Sequence, residues 1–213
     1  TWAREAYVIM NDVDEAELKK PTLHVDMPVW GDAKELLSKM EKVLGGMEES
    51  GQLAGGRLFQ NEEWVKTCQN WKEKYPVVLP KHYEDKDHAN VYAFIKELSR
   101  RLDEGQVTVV GNGSACVVGS HGYEIKKDQR FIINSAIASM GYDLPAAIGA
   151  AVAEFGDEAL NGRSLGKKVK DIILVTGDGS IQMNIQELQT IIHHRMPIKI
   201  FIINNQGYHS IRQ

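Results

Sequence analysis

Cysteine is scarce in this sequence: the 213 residues include only Cys68 and Cys116. Two cysteines cannot form the disulfide framework of a small secreted domain, and alone they cannot hold a structural zinc ion. The sequence also shows no secretory signal peptide. These absences favour a reducing compartment, and we expect the protein to be cytoplasmic.

The sequence also lacks long hydrophobic runs and an excess of positive charge. No apolar segment approaches the roughly 20 residues that a transmembrane helix requires, so we expect no membrane partner. Twenty-five Lys and Arg residues stand against 29 Asp and Glu residues, which gives a formal net charge of -4. A surface that wraps nucleic acid needs a concentrated positive field, so we expect no nucleic-acid partner.

Residues 1–46 contain a few short elements but little apolar material for a core. Ala6–Met10 has the composition of a strand, and apolar residues alternate along Pro21–Val29 as in a half-buried strand. Asp32 is a suitable N-cap for a helix that we expect to end at Gly45-Gly46. We therefore predict that this segment is the end of a larger central α/β domain.

We predict that residues 47–87 form a connector helix and a linker to a second domain. Pro76–Asp87 contains two prolines and many charged side chains, a composition typical of an exposed linker. An amphipathic helical stripe precedes it, with apolar residues at steps of four, three and four: Trp64, Cys68, Trp71 and Tyr75.

From residue 88 onward the pattern changes to alternating helices and strands. Val107–Val110, Asp171–Thr176 and Ile198–Ile203 are continuous apolar runs, as expected for strands buried on both faces. Amphipathic helices between them predict an α/β fold with a doubly wound parallel sheet over residues 88–213. The sequence stops soon after the last strand, so we expect a piece of a longer protein, with this domain truncated at its C-terminus. The helical stripes run over Val91–Leu102, Met140–Phe155 and Ile185–Ile192.

Each of the three predicted strands is followed by a polar or glycine-rich turn. Gly111–Ser114 follows the first strand, Gly177–Ser180 the second and Asn204-Asn205 the third. Ligands of parallel α/β sheets bind beyond the carboxyl ends of the strands. We therefore expect the three turns to converge on one site.

The two later turns carry the donors of a magnesium–diphosphate site. Asp178 offers a hard oxygen ligand, and Ser180 can donate to a phosphate at a helix N-terminus. The side-chain oxygen of Asn205 and a carbonyl of the Gln206-Gly207 turn would bring the protein oxygens around one divalent cation to three. Gly-Asp-Gly also occurs as a plain turn in which the aspartate caps a helix, and Asn-Asn often ends a strand as a turn.

These motifs resemble the cofactor-binding motif of thiamine-diphosphate-dependent enzymes. Gly177–Ser180 followed at this distance by Asn204-Asn205 is similar to that motif, and the run up to Gln213 most resembles acetolactate synthase-like large subunits. Met140–Ala150 is similar to a second signature of that branch, and Val13–Lys34 resembles the end of its central domain. The resemblance covers nearly the whole chain and identifies it as a C-terminal piece.

The resemblance implies a set of residues that hold the cofactor and its metal ion. Asp178, the side-chain oxygen of Asn205 and the main-chain carbonyl of Gly207 would bind Mg2+. Met140 would wedge thiamine diphosphate into its bent conformation, and the Ala138 carbonyl would accept a hydrogen bond from the exocyclic amine. The residues expected to contact the cofactor are Gly111, Asn112, Gly113, Gly179, Ser180, Asn205 and Gly207.

The resemblance further implies decarboxylation of a small 2-oxo acid with carboligation, with thiamine diphosphate and Mg2+ as cofactors. In this family the carboxylate that activates the cofactor lies in an N-terminal pyrimidine-binding domain, usually of a partner subunit. Nothing in the sequence corresponds to that domain, so we expect a homo-oligomeric intact enzyme and an inactive chain on its own. FAD is held by the central domain in some relatives, but too little of that domain is present to judge it.

Three positions depart from the acetolactate synthase pattern. Asp143 stands where glycine is usual, Gly113 where histidine is common, and His209-Ser210 where a glycine–methionine pair lines the substrate side. A protonatable His209 beside the reaction centre would favour a different substrate or product, but it could equally be a surface loop residue. His209 and Ser210 are therefore further candidate catalytic residues. The alternatives are a thiamine-diphosphate-dependent lyase or hydrolase acting on another oxo acid or a diketone, and a non-catalytic subunit that keeps the fold.

Overall fold

The computed structural model describes residues 4–52, 61–157 and 170–212. The chain divides into two units, Thr1–Lys72 and Glu73–Gln213, and each is described here by itself. None of the helices in the described residues is long and apolar enough to cross a membrane. The domain boundaries at residues 46 and 87 stay predictions.

In its described residues, the first unit contains two parallel strands and three helices. Its elements are β1 (Ile9–Asp12), α1 (Glu15–Leu18), β2 (Met27–Trp30), α2 (Ala33–Glu49) and most of α3 (Glu62–Lys74). Asp32 caps α2 as predicted, and its carboxylate accepts a hydrogen bond from the Lys34 amide at 2.8 Å. None of the described residues in this unit is buried, in agreement with its small amount of apolar material.

The predicted helix end at Gly45-Gly46 is wrong, because α2 continues to Glu49. A Cβ atom on either glycine would meet no atom within 4 Å, so both fit the exposed helix surface. Ser50 is the C-terminal cap of the helix, and the next residue, Gly51, has a φ of 68°. The left-handed glycine typical of helix C-termini is therefore Gly51.

The second unit alternates helices and strands, as predicted. A short 3-10 helix (Pro80–Tyr83) lies within the predicted linker, and the ring of His82 stacks on Tyr92 with the centroids 5.6 Å apart. The elements that follow are α4 (Val91–Arg101), β3 (Val107–Val110), α5 (Ser114–Gly122), β4 (Arg130–Ile133), α6 (Asp143–Phe155), β5 (Ile172–Gly177), α7 (Asp178–Ile181), a second 3-10 helix (Gln182–Asn184), α8 (Glu187–His194), β6 (Ile198–Ile203) and α9 (His209–Arg212).

Four parallel strands form the sheet of the second unit, in the order β4-β3-β5-β6. The chain runs from β3 outward to β4, returns past β3 to β5, and then continues to β6. The turns that follow the neighbouring strands β3 and β5 therefore lead in opposite directions. Such a switch point opens a crevice at the carboxyl ends of the strands.

Apolar side chains fill a core on each face of this sheet. Val109 and Leu174 pack in one cluster with residues of α6 and α8. Val110 and Val175 point the other way and pack with residues of α4 and α5. Because successive strand residues face opposite sides, continuous apolar strands need cover on both. The predicted doubly wound α/β fold is confirmed.

Several elements of this unit differ from the predictions, and α5 (Ser114–Gly122) is a helix that was not predicted. The predicted helix over Met140–Phe155 begins only at Asp143, because Gly141 has a φ of 80°, which a right-handed helix does not allow. Met140 therefore lies in a turn before α6. No strand was predicted at Arg130–Ile133. This short segment begins with a charged residue and forms the edge strand β4.

Candidate functional site

A cavity of about 140 Å3 lies at the carboxyl ends of β3, β5 and β6. It occupies the switch point of the sheet, where the turns after β3 and β5 diverge. The three turns that the sequence analysis singled out all contribute to its wall. The predicted site residues that line it are Asn112, Gly113, Met140, Asp178, Gly179, Ser180, Asn205, Gly207 and His209.

Three other predicted residues are not part of this lining. Gly111 is buried directly after β3, and Ala138 is exposed in the loop before Met140. Ser210 belongs to α9, but its side chain lies outside the described part of the structure.

Asp178 connects the ends of two neighbouring strands. It is the first residue of α7 and follows β5 directly. Its Oδ2 accepts a hydrogen bond from the Gly207 amide at 2.7 Å, and its Oδ1 accepts one from the Gly179 amide at 3.0 Å. Gly207 lies in the turn after β6, so the carboxylate holds the two turns together. Each carboxylate oxygen keeps a second lone pair with which it can bind a cation.

Asn205 contributes a side-chain oxygen that lacks a partner. Its Oδ1 is buried and has no hydrogen-bond partner among the described residues. The amide of the same side chain donates to the Ser114 Oγ over 3.4 Å, which orients the carboxamide. A buried polar atom without a partner costs about 1–3 kcal/mol. A cation or a donor group beside Oδ1 would therefore stabilise the site.

The donor set at this edge of the sheet fits magnesium. A carboxylate (Asp178), a carboxamide oxygen (Asn205) and a main-chain carbonyl (Gly207) are hard oxygen ligands of the kind that Mg2+ prefers. The Gly207 carbonyl accepts a hydrogen bond from the His209 amide at 2.8 Å and keeps a second lone pair. Among residues 4–52, 61–157 and 170–212, no three His, Cys, Asp or Glu side chains form a metal cluster. A cation here would depend on one carboxylate and on oxygens of a bound ligand.

Two glycines let the backbone line the cavity closely. A Cβ atom on Gly179 would lie 2.7 Å from the Cε1 of Tyr208, whose ring packs over the turn. Gly113 has a φ of 72° and precedes α5, whose first residues, Ser114 and Ala115, also line the cavity. The N-terminus of a helix presents free N–H groups and the positive end of its dipole. This part of the wall is suited to an anion such as a phosphate.

The loop that carries Met140 is fixed to the turn after β5 through Gly141. The Gly141 amide donates to the Ser180 Oγ at 2.9 Å, and the Asn184 amide group donates to the Gly141 carbonyl at 2.7 Å. A Cβ atom on Gly141 would lie 2.8 Å from the Cβ of Met183. These contacts hold Met140 in the cavity wall. The Ser180 hydroxyl faces Gly141, so the main-chain N–H of Ser180 is the group of that residue best placed to contact a ligand.

Asn112 and Ala138, two of the predicted site residues, contact each other. The Asn112 side-chain amide donates a hydrogen bond to the Ala138 carbonyl. Ala138 has a φ of 58°, and its amide donates to the Asn134 carbonyl at 2.9 Å. This bond ties the turn after β3 to the Met140 loop, so all four segments around the cavity are connected.

Sequence reasoning missed three residues that shape this site. Ser114 positions Asn205, Asn184 positions Gly141, and Tyr208 covers Gly179. Ser114 and Tyr208 directly follow predicted site residues, and this adjacency was the only signal for them. Asn184 carried no signal, because its role depends on a contact with a residue 43 positions away.

Comparison with known proteins identifies the family of this site. Residues 111–213 match the family described as thiamine pyrophosphate enzyme, C-terminal TPP binding domain. Every residue that lines the cavity lies within this matched range, and thiamine pyrophosphate is the same compound as thiamine diphosphate.

The whole chain is also similar to acetolactate synthases, as the motifs predicted. It is 33% identical to the acetolactate synthase large subunit of Cyanidium caldarium over an alignment of 220 residues, which covers 100% of this chain and 32% of that protein. It is 31% identical to the chloroplastic acetolactate synthase of Arabidopsis thaliana, again over 100% of this chain and 28% of that protein. For the large subunit of acetolactate synthase isozyme 3 of Escherichia coli (strain K12), the identity is 29% over 98% of this chain and 32% of that protein. The chain spans about a third of the length of these relatives.

Proposed function

We propose that this chain is the C-terminal part of a thiamine-diphosphate-dependent enzyme that decarboxylates a 2-oxo acid and joins the product to an acceptor. Two findings support this proposal: the TPP-binding domain family of residues 111–213 and the acetolactate synthase relatives. The structural observation behind it is that the Asp178 carboxylate, at the end of β5, accepts a hydrogen bond from Gly207 in the turn after β6. There an unpaired Asn205 oxygen is buried beside the same cavity.

We assign the metal to the oxygens at the ends of β5 and β6. The Asp178 carboxylate, Asn205 Oδ1 and the Gly207 carbonyl would bind Mg2+, and phosphate and water oxygens would fill its remaining positions. The charge of one carboxylate is enough for this arrangement, because the diphosphate brings further negative charge to the cation.

We assign the diphosphate to the two turns that flank the switch point. The main-chain N–H groups of Gly179 and Ser180 and the start of α5 would donate to its oxygens. Asn112 and Gly113 line the cavity from the turn after β3, whereas Gly179 and Ser180 line it from the turn after β5. The buried Gly111 would contribute indirectly, because its lack of a side chain lets the main chain before Asn112 and Gly113 pack closely against its neighbours.

The remaining predicted residues would shape the ring-binding end of the site. Met140 would support the bent form of the cofactor from the cavity wall, and the Ala138 carbonyl would orient its aminopyrimidine ring. The chemistry that thiamine diphosphate supplies when bound is a nucleophilic carbon and an electron sink for decarboxylation. The residues of this chain bind and orient it, while the activating carboxylate would come from the N-terminal domain of a partner subunit in a homo-oligomer.

His209 favours a second candidate function with the same cofactor. Its side chain lines the cavity next to the proposed metal ligand Gly207. An imidazole can both donate and accept hydrogen bonds, so His209 could hold a polar group of a substrate or acceptor. A lyase or hydrolase acting on another oxo acid or a diketone is therefore the alternative to acetolactate formation.

Isothermal titration calorimetry of the chain with thiamine diphosphate and Mg2+ tests this proposal. We expect binding that requires Mg2+ and that Asn205→Ala weakens by about tenfold or more, because even groups one step removed from a metal contribute factors of 10–100. Asn70→Ala is the matched control, because that exposed side chain lies in α3 and outside the cavity lining, so the affinity should stay unchanged.

Two results would contradict the proposal. Absence of Mg2+-dependent binding by the native chain would exclude the anchor as a whole. Equal affinity of the Asn205→Ala and native chains would remove Asn205 from the set of metal ligands.

A further inference from the structure

A completely buried carboxyl group lies between the strand ends that carry the proposed site. Asp143, the first residue of α6, exposes none of its surface. Its Oδ2 accepts a hydrogen bond from the Thr176 hydroxyl on β5, and its Oδ1 accepts one from the Leu144 amide at 3.2 Å. Gly111 packs against it from the end of β3, since a Cβ atom on that glycine would lie 3.0 Å from the Asp143 Cγ.

Both strand contacts of Asp143 lie immediately before residues that line the cavity. Thr176, itself completely buried, precedes the turn that contains Asp178. Gly111 precedes Asn112, and its amide donates to the Val175 carbonyl at 2.8 Å, which extends the pairing of β3 with β5. One side chain therefore touches the ends of both strands at the point where their turns diverge.

The fold alone does not account for a carboxyl group in this place. Burying a polar group is costly unless hydrogen bonds compensate, and a well-packed apolar side chain often gives equal or greater stability. Asp143 is compensated by the Thr176 hydroxyl, the Leu144 amide and its position at the positive end of the α6 dipole. These polar contacts are directional, so they fix positions as well as distances.

We propose that Asp143 is a positioning residue that sets the spacing of the turns after β3 and β5, and through them the affinity of the site for its ligand. It acts through Thr176 and Gly111 and does not itself line the cavity. The inference rests on the proposed function for the identity of the ligand, but the spacing of the turns is a property of the ligand-free chain.

Two matched pairs of variants test this inference. Asp143→Leu keeps the branched shape and removes the hydrogen bonds, whereas Asp143→Asn keeps a side chain that can bond to Thr176. On the other side of the contact, Thr176→Val removes the hydroxyl and Thr176→Ser keeps it. Each variant is measured by calorimetry with Mg2+ and thiamine diphosphate, by amide hydrogen exchange of the ligand-free chain, and by thermal unfolding.

We expect the two disrupting variants to weaken ligand binding by about tenfold, the scale of one buried hydrogen bond. Amide exchange should accelerate at residues 111–114 and 177–180 and stay unchanged in α4, which Asp143 does not touch. Asp143→Asn and Thr176→Ser should stay within about threefold of the native affinity.

Several results would overturn the inference. Native affinity and native exchange in Asp143→Leu and Thr176→Val would show that the residue only fills space. Faster exchange throughout the unit, α4 included, would show a general loss of stability. If Asp143→Leu does not fold, the Thr176 pair gives the same test. If the native chain binds no ligand, that result contradicts the proposed function, and the exchange data still decide the role of Asp143.

Discussion

Single hydrogen bonds connect the segments around the cavity. Asp178 holds the turn after β6 through the Gly207 amide, and Asn112 holds the Met140 loop through the Ala138 carbonyl. No long element spans the cavity to back up these contacts among the described residues. The geometry of the site therefore depends on individual side chains, and conservative changes at them should affect ligand binding more than folding.

The half-buried side chain of Tyr123 makes the stability of the second unit depend on pH. Burial raises the pKa of Tyr123, while its hydrogen bond with Thr108, with the two oxygens 3.0 Å apart, acts in the lowering direction. A raised pKa in the folded state means that the neutral phenol is favoured there. The corresponding stability is complete below the ordinary tyrosine pKa of about 10 and is lost as the pH rises through the raised value.

We expect urea unfolding of the native chain to show a steep loss of stability above about pH 10. Tyr123→Phe should be less stable than the native chain at pH 8 by about 1 kcal/mol, because the hydrogen bond to Thr108 is lost, but its stability should fall less between pH 8 and pH 11. Tyr75→Phe, at an exposed tyrosine, is the control and should follow the native curve. Parallel curves for Tyr123→Phe and the native chain would refute this account.

At the residue scale the sequence predicted which residues surround the cavity but not how they touch. Asp178, Asn205 and Gly207 could be found because each lies within four residues of the end of a recognisable strand. The orientation of the Asn205 carboxamide depends on a hydrogen bond to Ser114, which lies 91 positions away. Contacts of this kind follow from the order of strands in the sheet, and periodicity along one sequence does not contain that order.

The Met140 loop is the element whose conformation most directly affects the cavity. Its position depends on Gly141, which combines a left-handed backbone with close contact to Met183. Any side chain at Gly141 would meet both obstacles, so the loop would have to move away from the second 3-10 helix. Met140 would move with it.

We expect Gly141→Ala to weaken binding of thiamine diphosphate and Mg2+ several-fold, because a strained left-handed residue alone costs about 1–3 kcal/mol. The matched control is Gly149→Ala in α6, where a Cβ atom meets nothing within 4 Å. That change should keep the affinity and raise the free energy of unfolding by up to about 1 kcal/mol, the helix preference of alanine over glycine. Calorimetry and thermal unfolding of both variants check the prediction, which fails if Gly141→Ala binds as the native chain does.

The elements that were predicted with correct bounds are those whose own composition matches their burial in the folded unit. β3 and β6 have the predicted bounds because Val107–Val110 and Ile198–Ile203 are rich in β-branched apolar residues and lie in a sheet with apolar cores on both faces. The end of α2 was predicted too early because an exposed helix tolerates Gly45-Gly46 at a modest cost. β4 was missed because its pairing with β3, rather than its own composition, makes it a strand.

At the scale of the whole molecule, the cavity and all its predicted metal ligands lie within residues 111–213. The chain covers about a third of the length of the acetolactate synthases to which it is similar. We propose that the activating carboxylate belongs to another domain, and the isolated chain therefore separates cofactor binding from turnover.

We expect the isolated chain to release no carbon dioxide from pyruvate in the presence of thiamine diphosphate and Mg2+, although it binds both. The reason is that the cofactor needs a carboxylate beside its aminopyrimidine ring, and our assignment places none there from this chain. A full-length acetolactate synthase assayed in parallel serves as the positive control. Sustained release of carbon dioxide by the isolated chain would show that the missing carboxylate is dispensable.

The position of the cavity at a switch point has a consequence for how such a site can diversify. The ends of β3, β5 and β6 supply part of its lining, whereas Tyr208 and His209 lie in the segment that follows Gly207. Substitutions in that segment can alter which molecule is accepted without changing the strand ends. Proteins that share this sheet can thus differ in the molecules that they accept.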